Sequence, residues 1–495
     1  ESLRQLHYPH VHADLHQLQD QVSPAKLRLV LEELIAHQLT LKRAKQQNQR
    51  LPAPALALRR HLEQGLIENL PFELTGAQQR VWQEVATDLK TPVPMVRMVQ
   101  GDVGSGKTVL AALAACQAVD HGCQVAVLAP TEILAEQHFH NFSHWLEPLG
   151  INVVWLTGKQ KAQVKRQSLA AIASGKGQVI VGTHALFQEA VEYQHLGLII
   201  IDEQHRFGVA QRHSLVKKAP PGKGLHQLVM TATPIPRTLA MSAYGDLDHS
   251  LIDELPPGRK PINSVLLNNT KRAEVIERIH LACNSGQQVY WICPLIEASE
   301  VLQCEAAQDT AALLTQQLNN IKVGLVHGRL SGNEKAEVMA QFKAGYIQLL
   351  VATTVVEVGV DVPNANLMVI DNAERLGLAQ LHQLRGRVGR GQVQSHCLFM
   401  YQAPLSAMGR ERLDILRQSN DGFVIAERDL QLRGPGEVLG TRQAGAVGLR
   451  IADLMRDAHL LPEVKVLAEG YISYSHKTEK IISRWVGENQ AFAKV

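Results

Sequence analysis

The chain has 495 residues, 45% of them hydrophobic, enough to fill several cores and three or four domains of ordinary size. A net charge of +3 does not by itself argue for nucleic acid, and six scattered cysteines with no CxxC pair argue against a zinc site or disulfide framework and point to a reducing cytoplasm. The longest apolar runs, such as LGLIII at 196–201, are too short to cross a bilayer, no signal peptide is visible, and the chain starts at Glu1 rather than Met.

In chain order, the first element is a helix over 24–49. Leu27, Val30, Leu31, Leu34 and Ile35 share one face, and Ser23-Pro24 supplies the cap and first turn. From Leu41 to Leu62 there is no acid, while Lys42, Arg43, Lys45, Arg50, Arg59 and Arg60 are basic. A solvated helix face is the plain reading and a nucleic-acid-facing surface the sharper one.

From about residue 71 short apolar runs alternate with helical stretches: MVRMV, QVAVLAP, INVVWL, QVIVGT, LGLIIID and QLVMTAT. This is the pattern of a parallel sheet covered on both faces. Pro256-Pro257-Gly258 reads as a linker, and a second series follows: QQVYWICP, KVGLVHG, IQLLVATT, NLMVID and SHCLFMY. Two similar α/β units joined by a Pro/Gly hinge imply a cleft between them. After about residue 408 the alternation stops, and helix mixed with Gly-rich sequence follows, including LRGPGEVLGTRQAG at 432–445.

GDVGSGKT at 101–108 fits G-x-x-x-x-G-K-[ST] between an apolar strand (95–99) and an apolar helix (109–118). Gly101, Gly104 and Gly106 let the loop bend and aim the N–H groups of Asp102, Val103, Ser105 and their neighbours inward. Lys107 is expected on the β/γ-phosphates of ATP and the Thr108 hydroxyl on Mg²⁺. LGLIIIDEQH at 196–205 ends a buried strand in two carboxylates, Asp202 for Mg²⁺, partly through water, and Glu203 for the attacking water. In QLHQLRGRVGR, Arg387 and Arg390 are three apart, so on a helix they would share a face and reach across the cleft to the γ-phosphate.

These motifs, in this order, resemble helicase superfamily 2 across 72–390. The resemblance implies two RecA-like motor domains in tandem. FELTGAQ (72–78) looks like the adenine-reading Q motif, with Phe72 and Gln78 at the base. APTEILAEQ, LTG and GTHAL look like strand-tracking motifs, placing Pro130, Thr131, Gly158, Thr183 and His184 near DNA. TATPIPRT, with Thr231 and Thr233, looks like the motif that couples hydrolysis to DNA movement. VHGRL and ATTVVEVGVDVP look like their partners in the second unit, with His327, Arg329 and Thr353 near DNA and Gly359 and Asp361 near the nucleotide. Aromatic residues are only 4% of the chain, which suits a motor that follows the phosphate backbone better than one that stacks on bases.

DEQHRFGVAQR, TATPIPRTLA, LPPGRKP and VVEVGVDVPNA narrow the resemblance to the RecG and Mfd families, and AKLRLVLEELIAHQ at 25–38 favours RecG. DGFVIAERDLQLRGPGEVLGTRQAG (421–445) resembles the translocation motif those families share, following a helical hairpin, with Arg412, Arg433 and Gln443 at the implicated positions. The implied organisation is a helical segment at 1–70 after an upstream wedge domain, motor domains at 71–257 and 258–407, and a translocation motif with C-terminal extension at 408–495. The implied activity is an ATP-dependent duplex-DNA translocase that remodels forks and Holliday junctions. A monomer in the cytoplasm, nucleoid-associated and with no membrane, is the default expectation, and the resemblance implies a single-strand-binding protein as partner. The alternatives are an Mfd-like translocase, an RNA helicase, and a nucleotide-binding scaffold that does not turn over.

Overall fold

The computed structural model describes residue 4 and residues 23–204, 207, 218–220, 222–233, 247–294, 300–354, 362–389, 391, 393–433, 449–453, 456–472 and 475–487. The chain builds two parallel sheets. The first has seven strands: β1 (Val96–Gly101), β2 (Gln124–Leu128), β3 (Val153–Leu156), β4 (Val179–Gly182), β5 (Leu196–Asp202), β6 (His226–Thr231) and β7 (Asp248–Ile252), in the order β3-β4-β2-β5-β6-β1-β7. The second has six: β8 (Asn263–Asn268), β9 (Gln288–Ile292), β10 (Val323–Val326), β11 (Leu349–Ala352), β12 (Ala365–Ile370) and β13 (His396–Tyr401), in the order β10-β11-β9-β12-β13-β8.

Central strands such as β2 and β5 are buried along their whole length, as expected when helices cover both faces. β7 and β8, which the apolar runs do not announce, are edge strands. DHSLI and NSVLLN mix polar and apolar residues because only part of each is buried.

Helix α1 (Pro24–Gln49) stands at the N-terminal end, followed by α2 (His61–Asn69) and α3 (Gly76–Leu89). Thr75 caps α3, and Gln78 closes a capping box with it. Helices α4 (Lys107–Val119), α5 (Glu132–Leu146) and α6 (Ala162–Ala173) cover the first sheet. Helices α7 (Arg272–Asn284), α8 (Glu300–Gln317), α9 (Gly332–Lys343) and α10 (Leu378–Arg385) belong to the second unit. A hairpin of α11 (Ala407–Gln418) and α12 (Gly422–Arg433) comes next, then α13 (Leu461–Ile472) and α14 (Ser475–Trp485). Val30, Leu34, Ile35 and Leu39 of α1 form one core with Leu430 of α12, Val464 of α13 and Ile482 of α14, so α1 packs against helices that follow the second unit.

The basic stretch after Leu41 is largely tied into the protein. Lys42 pairs with Glu469, Arg43 with Glu479 and Lys45 with Asp248, and Arg59 donates to the Asp120 carbonyl. These partners favour an intramolecular role over a nucleic-acid face. Among the described residues, no helix is long and apolar enough to cross a membrane, and all six cysteines are buried and unbridged.

Candidate functional site

Because every strand pair in the first sheet is parallel, the carboxyl ends of β1, β5 and β6 open on the same side, where α/β sheets bind ligands. β1 runs into the loop 101–106, β5 delivers Asp202 and Glu203, and β6 ends at Thr231. The loop is shaped by glycine. Gly104 (φ +78) and Gly106 (φ +83) are left-handed, and a Cβ on Gly106 would collide with the Gln78 amide. The Ser105 hydroxyl is buried with no hydrogen-bond partner among the described residues. This cradle, at the N-terminus of α4, fits a polyphosphate.

Lys107 lies buried in the cradle, its Nζ donating to the carbonyls of Gly101 (2.7 Å) and Asp102 (2.9 Å). Burial pushes its pKa down, against the opposing pull of Glu203, Asp202 and Asp102. Asp202 Oδ2 lies 2.7 Å from His138 Nε2, and its Oδ1 accepts from the Glu203 N–H at 3.0 Å. Burial alone would raise the Asp202 pKa, but the hydrogen bond and charge of His138, with Lys107, bring it below the usual carboxylate range. Glu203 has φ +51, an uncommon backbone for a side chain of its size, and accepts from the Ala232 N–H at 3.3 Å. Burial, with Asp202 adding to it, raises Glu203 to about 6.

Arg387 arrives from the second unit. Its guanidinium is buried, and its charge bears on both Lys107 and Glu203. One expectation is corrected: α10 ends at Arg385 and Gly386 is its cap, so Arg387 sits on the turn beyond the helix, not on a helix face. Gly389 at φ +80 continues the irregular path. Arg390, Gly359, Asp361 and Gln443 lie outside the described residues, and nothing is described of the Arg433 side chain at the end of α12.

Gln78 is buried, with Nε2 donating to the Ser105 carbonyl (2.8 Å) and Oε1 accepting from the Thr75 N–H (2.9 Å), so in this conformation it braces the loop. Phe72 is exposed and lines a cavity of about 590 Å³ with Trp82, Gln79 and Leu70. Thr231 and Thr233 bond hydroxyl to hydroxyl at 2.6 Å, and Gln100 donates to the Thr233 carbonyl at 3.3 Å, placing this pair beside the nucleotide loop. Thr108 opens α4.

Some of the expected DNA-facing residues lie near a contact between the units. Thr131 caps α5 next to Pro130, and Glu132 pairs with Lys159, the neighbour of Gly158. A Cβ on Gly332 of the second unit would lie 2.7 Å from the Lys159 ammonium. His184 and Arg329 are exposed, while Thr183, His327 and Thr353 are buried, and burial with nearby Lys335 and Arg329 lowers the His327 pKa. Arg412 of α11 donates to the Leu376 carbonyl, just ahead of α10.

Three residues outside the sequence expectations join the cleft. His138 holds Asp202; His382 Nε2 meets Asp102 Oδ1; and Arg259 donates to the Val103 carbonyl. His382 and Arg259 sit inside quoted stretches, but no local spacing marks them, since each partner is more than a hundred residues away.

Family models agree with this layout: DEAD/DEAH box helicase matches 75–242, helicase conserved C-terminal domain matches 271–392, and ATP-dependent DNA helicase RecG, domain 3, C-terminal matches 419–484. The last favours RecG over the Mfd alternative. A solved structure of RecG bound to a three-way DNA junction superposes with a TM-score of 0.73 at 42% identity, covering 88% of this chain and 57% of that one. ATP-dependent DNA helicase RecG of Pasteurella multocida is 52% identical over 100% of this chain and 72% of its own length. RecG of Escherichia coli K12 is 55% identical over the same shares of each. At that identity, along its whole length, the chain belongs to the RecG family of ATP-dependent DNA helicases.

Proposed function

We propose that the chain is a motor that closes its two units on ATP, hydrolyses it between them, and uses that cycle of closing and opening to drive branched DNA, such as forks and Holliday junctions. The observation that carries this is the close meeting of the phosphate loop with the turn that bears Arg387, where a Cβ on Gly386 would lie 2.7 Å from the Val103 Cβ, bringing Arg387 of the second unit near Lys107 and Glu203 of the first.

In this reading Lys107 leaves the Gly101 and Asp102 carbonyls for the phosphates. Glu203 orients the attacking water and takes its proton. Arg387, with Arg390, steadies the charge that develops on the transferred phosphoryl group. An arginine in that role contributes roughly 10³–10⁵ in rate. Thr108 and Asp202 would hold Mg²⁺, which supplies neutralisation of the phosphate oxygens when bound. Turnover then depends on the approach of the two units, which ties chemistry to motion. Gln78 and Phe72, with Gly359 and Asp361, are proposed on the nucleotide side. Pro130, Thr131, Gly158, Thr183, His184, His327, Arg329 and Thr353 are proposed to follow the DNA backbone. Arg412, Arg433 and Gln443 are proposed to pass closure to the duplex, within an extension at 408–495 that follows motor domains at 71–257 and 258–407.

The test compares ATPase stimulation by forked DNA, linear duplex and structured RNA. Forked DNA is expected to be the best activator; a better response to RNA overturns the substrate assignment.

A further inference from the structure

LPPGRKP bridges the two sheets, yet the proposed reaction leaves its arginine without a part. β7 ends at Ile252 and β8 begins at Asn263, so Arg259 lies on the connection between the units. Its guanidinium enters the cleft. Nη1 donates to the carbonyl of Val103 in the phosphate loop, and Nη2 donates to the carbonyl of Gly386 at 3.4 Å, just past the end of α10. One side chain of the linker thereby contacts both units at the place where the nucleotide loop meets the arginine-bearing turn.

We infer that Arg259 is a positioning residue for Arg387, bridging the phosphate loop to the peptide from which Arg387 extends. The inference rests on the reading of Arg387 given above. The Gly386 carbonyl and the Arg387 N–H belong to one planar peptide unit, so fixing that oxygen orients the backbone where Arg387 starts. The Arg387 N–H in turn donates to the Leu384 carbonyl at 2.9 Å, which fixes the other side of the same plane.

Two glycines clear the space for this bridge. Gly104 has φ +78, and a Cβ there would lie 2.5 Å from Arg259 Nη1. A Cβ on Gly386 would lie 2.7 Å from the Val103 Cβ. Loop and turn approach too closely for a side chain at Gly386, and one at Gly104 would displace the Arg259 guanidinium. A guanidinium suits the gap because its rigid fork presents two donors at a set angle, one for each carbonyl. A lysine ammonium on a flexible stem does not hold that angle. Misplacing a reacting group by about 1 Å can cost roughly a hundredfold in rate, so a brace on Arg387 matters to turnover.

The experiment uses the whole chain with forked DNA. It measures kcat for ATP and, separately, the Kd of a fluorescent ATP analogue, for Arg259→Ala, Arg259→Lys, Arg387→Ala and the Arg259→Ala/Arg387→Ala double variant. Arg259→Ala is expected to lower kcat by about ten- to a hundredfold while leaving the analogue's Kd near that of the parent. Arg259→Lys should recover only part of the loss. The double variant should be no slower than Arg387→Ala alone, because a brace has nothing to position once its arginine is gone. Losses that multiply in the double variant, an unaltered kcat in Arg259→Ala, or a raised Kd with kcat intact each overturn the inference. Should Arg259→Ala fail to fold, the same cycle run with Arg259→Lys decides by the same criterion. Full-rate turnover in Arg387→Ala would instead remove the underlying reading of Arg387, an outcome distinct from slow Arg387→Ala beside normal Arg259→Ala.

Discussion

His382 of the second unit and Asp102 of the phosphate loop meet across the cleft, Nε2 to Oδ1, at 2.5 Å. The other ring nitrogen of His382 accepts from Arg385 Nη2 at 2.9 Å. Arg385 also donates to the carbonyls of Leu416 and Ser419, both at 2.8 Å, where α11 gives way to the turn before α12. Gly422 packs against the same histidine, where a Cβ would lie 2.6 Å from Nε2. A short polar chain therefore runs from the nucleotide loop to the helical hairpin. Burial would raise the Asp102 pKa, but the His382 hydrogen bond, with the Lys107 charge and the Val103 N–H, brings the carboxyl below its usual range.

Replacing His382 by alanine should uncouple the loop from the hairpin. We expect kcat/KM for DNA-stimulated ATP hydrolysis to fall about tenfold, roughly 1.4 kcal/mol of transition-state stabilisation. Steady-state kinetics on forked DNA checks this, and parent-like kcat/KM would show the contact to be incidental.

Glu203, raised to about 6, should set the acid limb of the pH profile. Below that pH the carboxyl keeps its proton and cannot accept one from water, so kcat should climb as pH rises through about 6 and level off above it. The same shift has a stability sign. The folded chain holds this proton more tightly than the unfolded one, so its contribution is complete below the usual pKa of 4.5 and is lost as pH rises through about 6. A limb displaced by more than a unit would remove Glu203 as the titrating base.

His138 bonds the carboxylate proposed for Mg²⁺, and groups that orient a metal ligand commonly matter about ten- to a hundredfold in metal affinity. His138→Ala should therefore raise the Mg²⁺ concentration for half-maximal ATPase by about tenfold, with little change in kcat at saturating Mg²⁺. An unchanged Mg²⁺ requirement would confine His138 to packing.

Glu33 of α1 is buried, and its carboxylate accepts from the N–H groups of Arg450 (2.5 Å), Ile451 (2.8 Å) and Ala452 (2.8 Å). This fixes the backbone that follows the Gly-rich stretch onto the first helix. Glu33→Ala leaves three donors to be satisfied otherwise and should destabilise the chain by about 1–3 kcal/mol. Junction unwinding should fall more than DNA-stimulated ATPase, since Glu33 lies on α1, outside the proposed catalytic set. Thermal melting with paired ATPase and unwinding assays tests this; equal losses of both activities would refute the anchoring role.

Much of the proposed nucleotide site rests on local signals. Gly104 and Gly106 mark left-handed backbone in a run of eight residues, and LGLIIID announces a buried strand ending in a carboxylate through hydrophobicity alone. The resemblance of LPPGRKP and the 421–445 segment pointed to the RecG and Mfd families, and that of 25–38 to RecG, which identity along the whole chain then showed. The edge strands β7 and β8 were missed because half-buried strands carry mixed residues. The helix periodicity assumed for Arg387 failed because Gly386 ends α10 one residue before it.

Local sequence determined which segments become buried strands, where the phosphate loop turns and which carboxylates follow the strand, because dihedral preference and hydrophobic period act over a few neighbours. Only the tertiary structure decided that Asp102 meets His382, that Arg259 joins Val103 to Gly386, and that Lys42 and Lys45 pair with Glu469 and Asp248. Those contacts depend on how one sheet is set against the other and on how α1 packs against the helices that follow the second unit, geometry that no window of neighbouring residues contains.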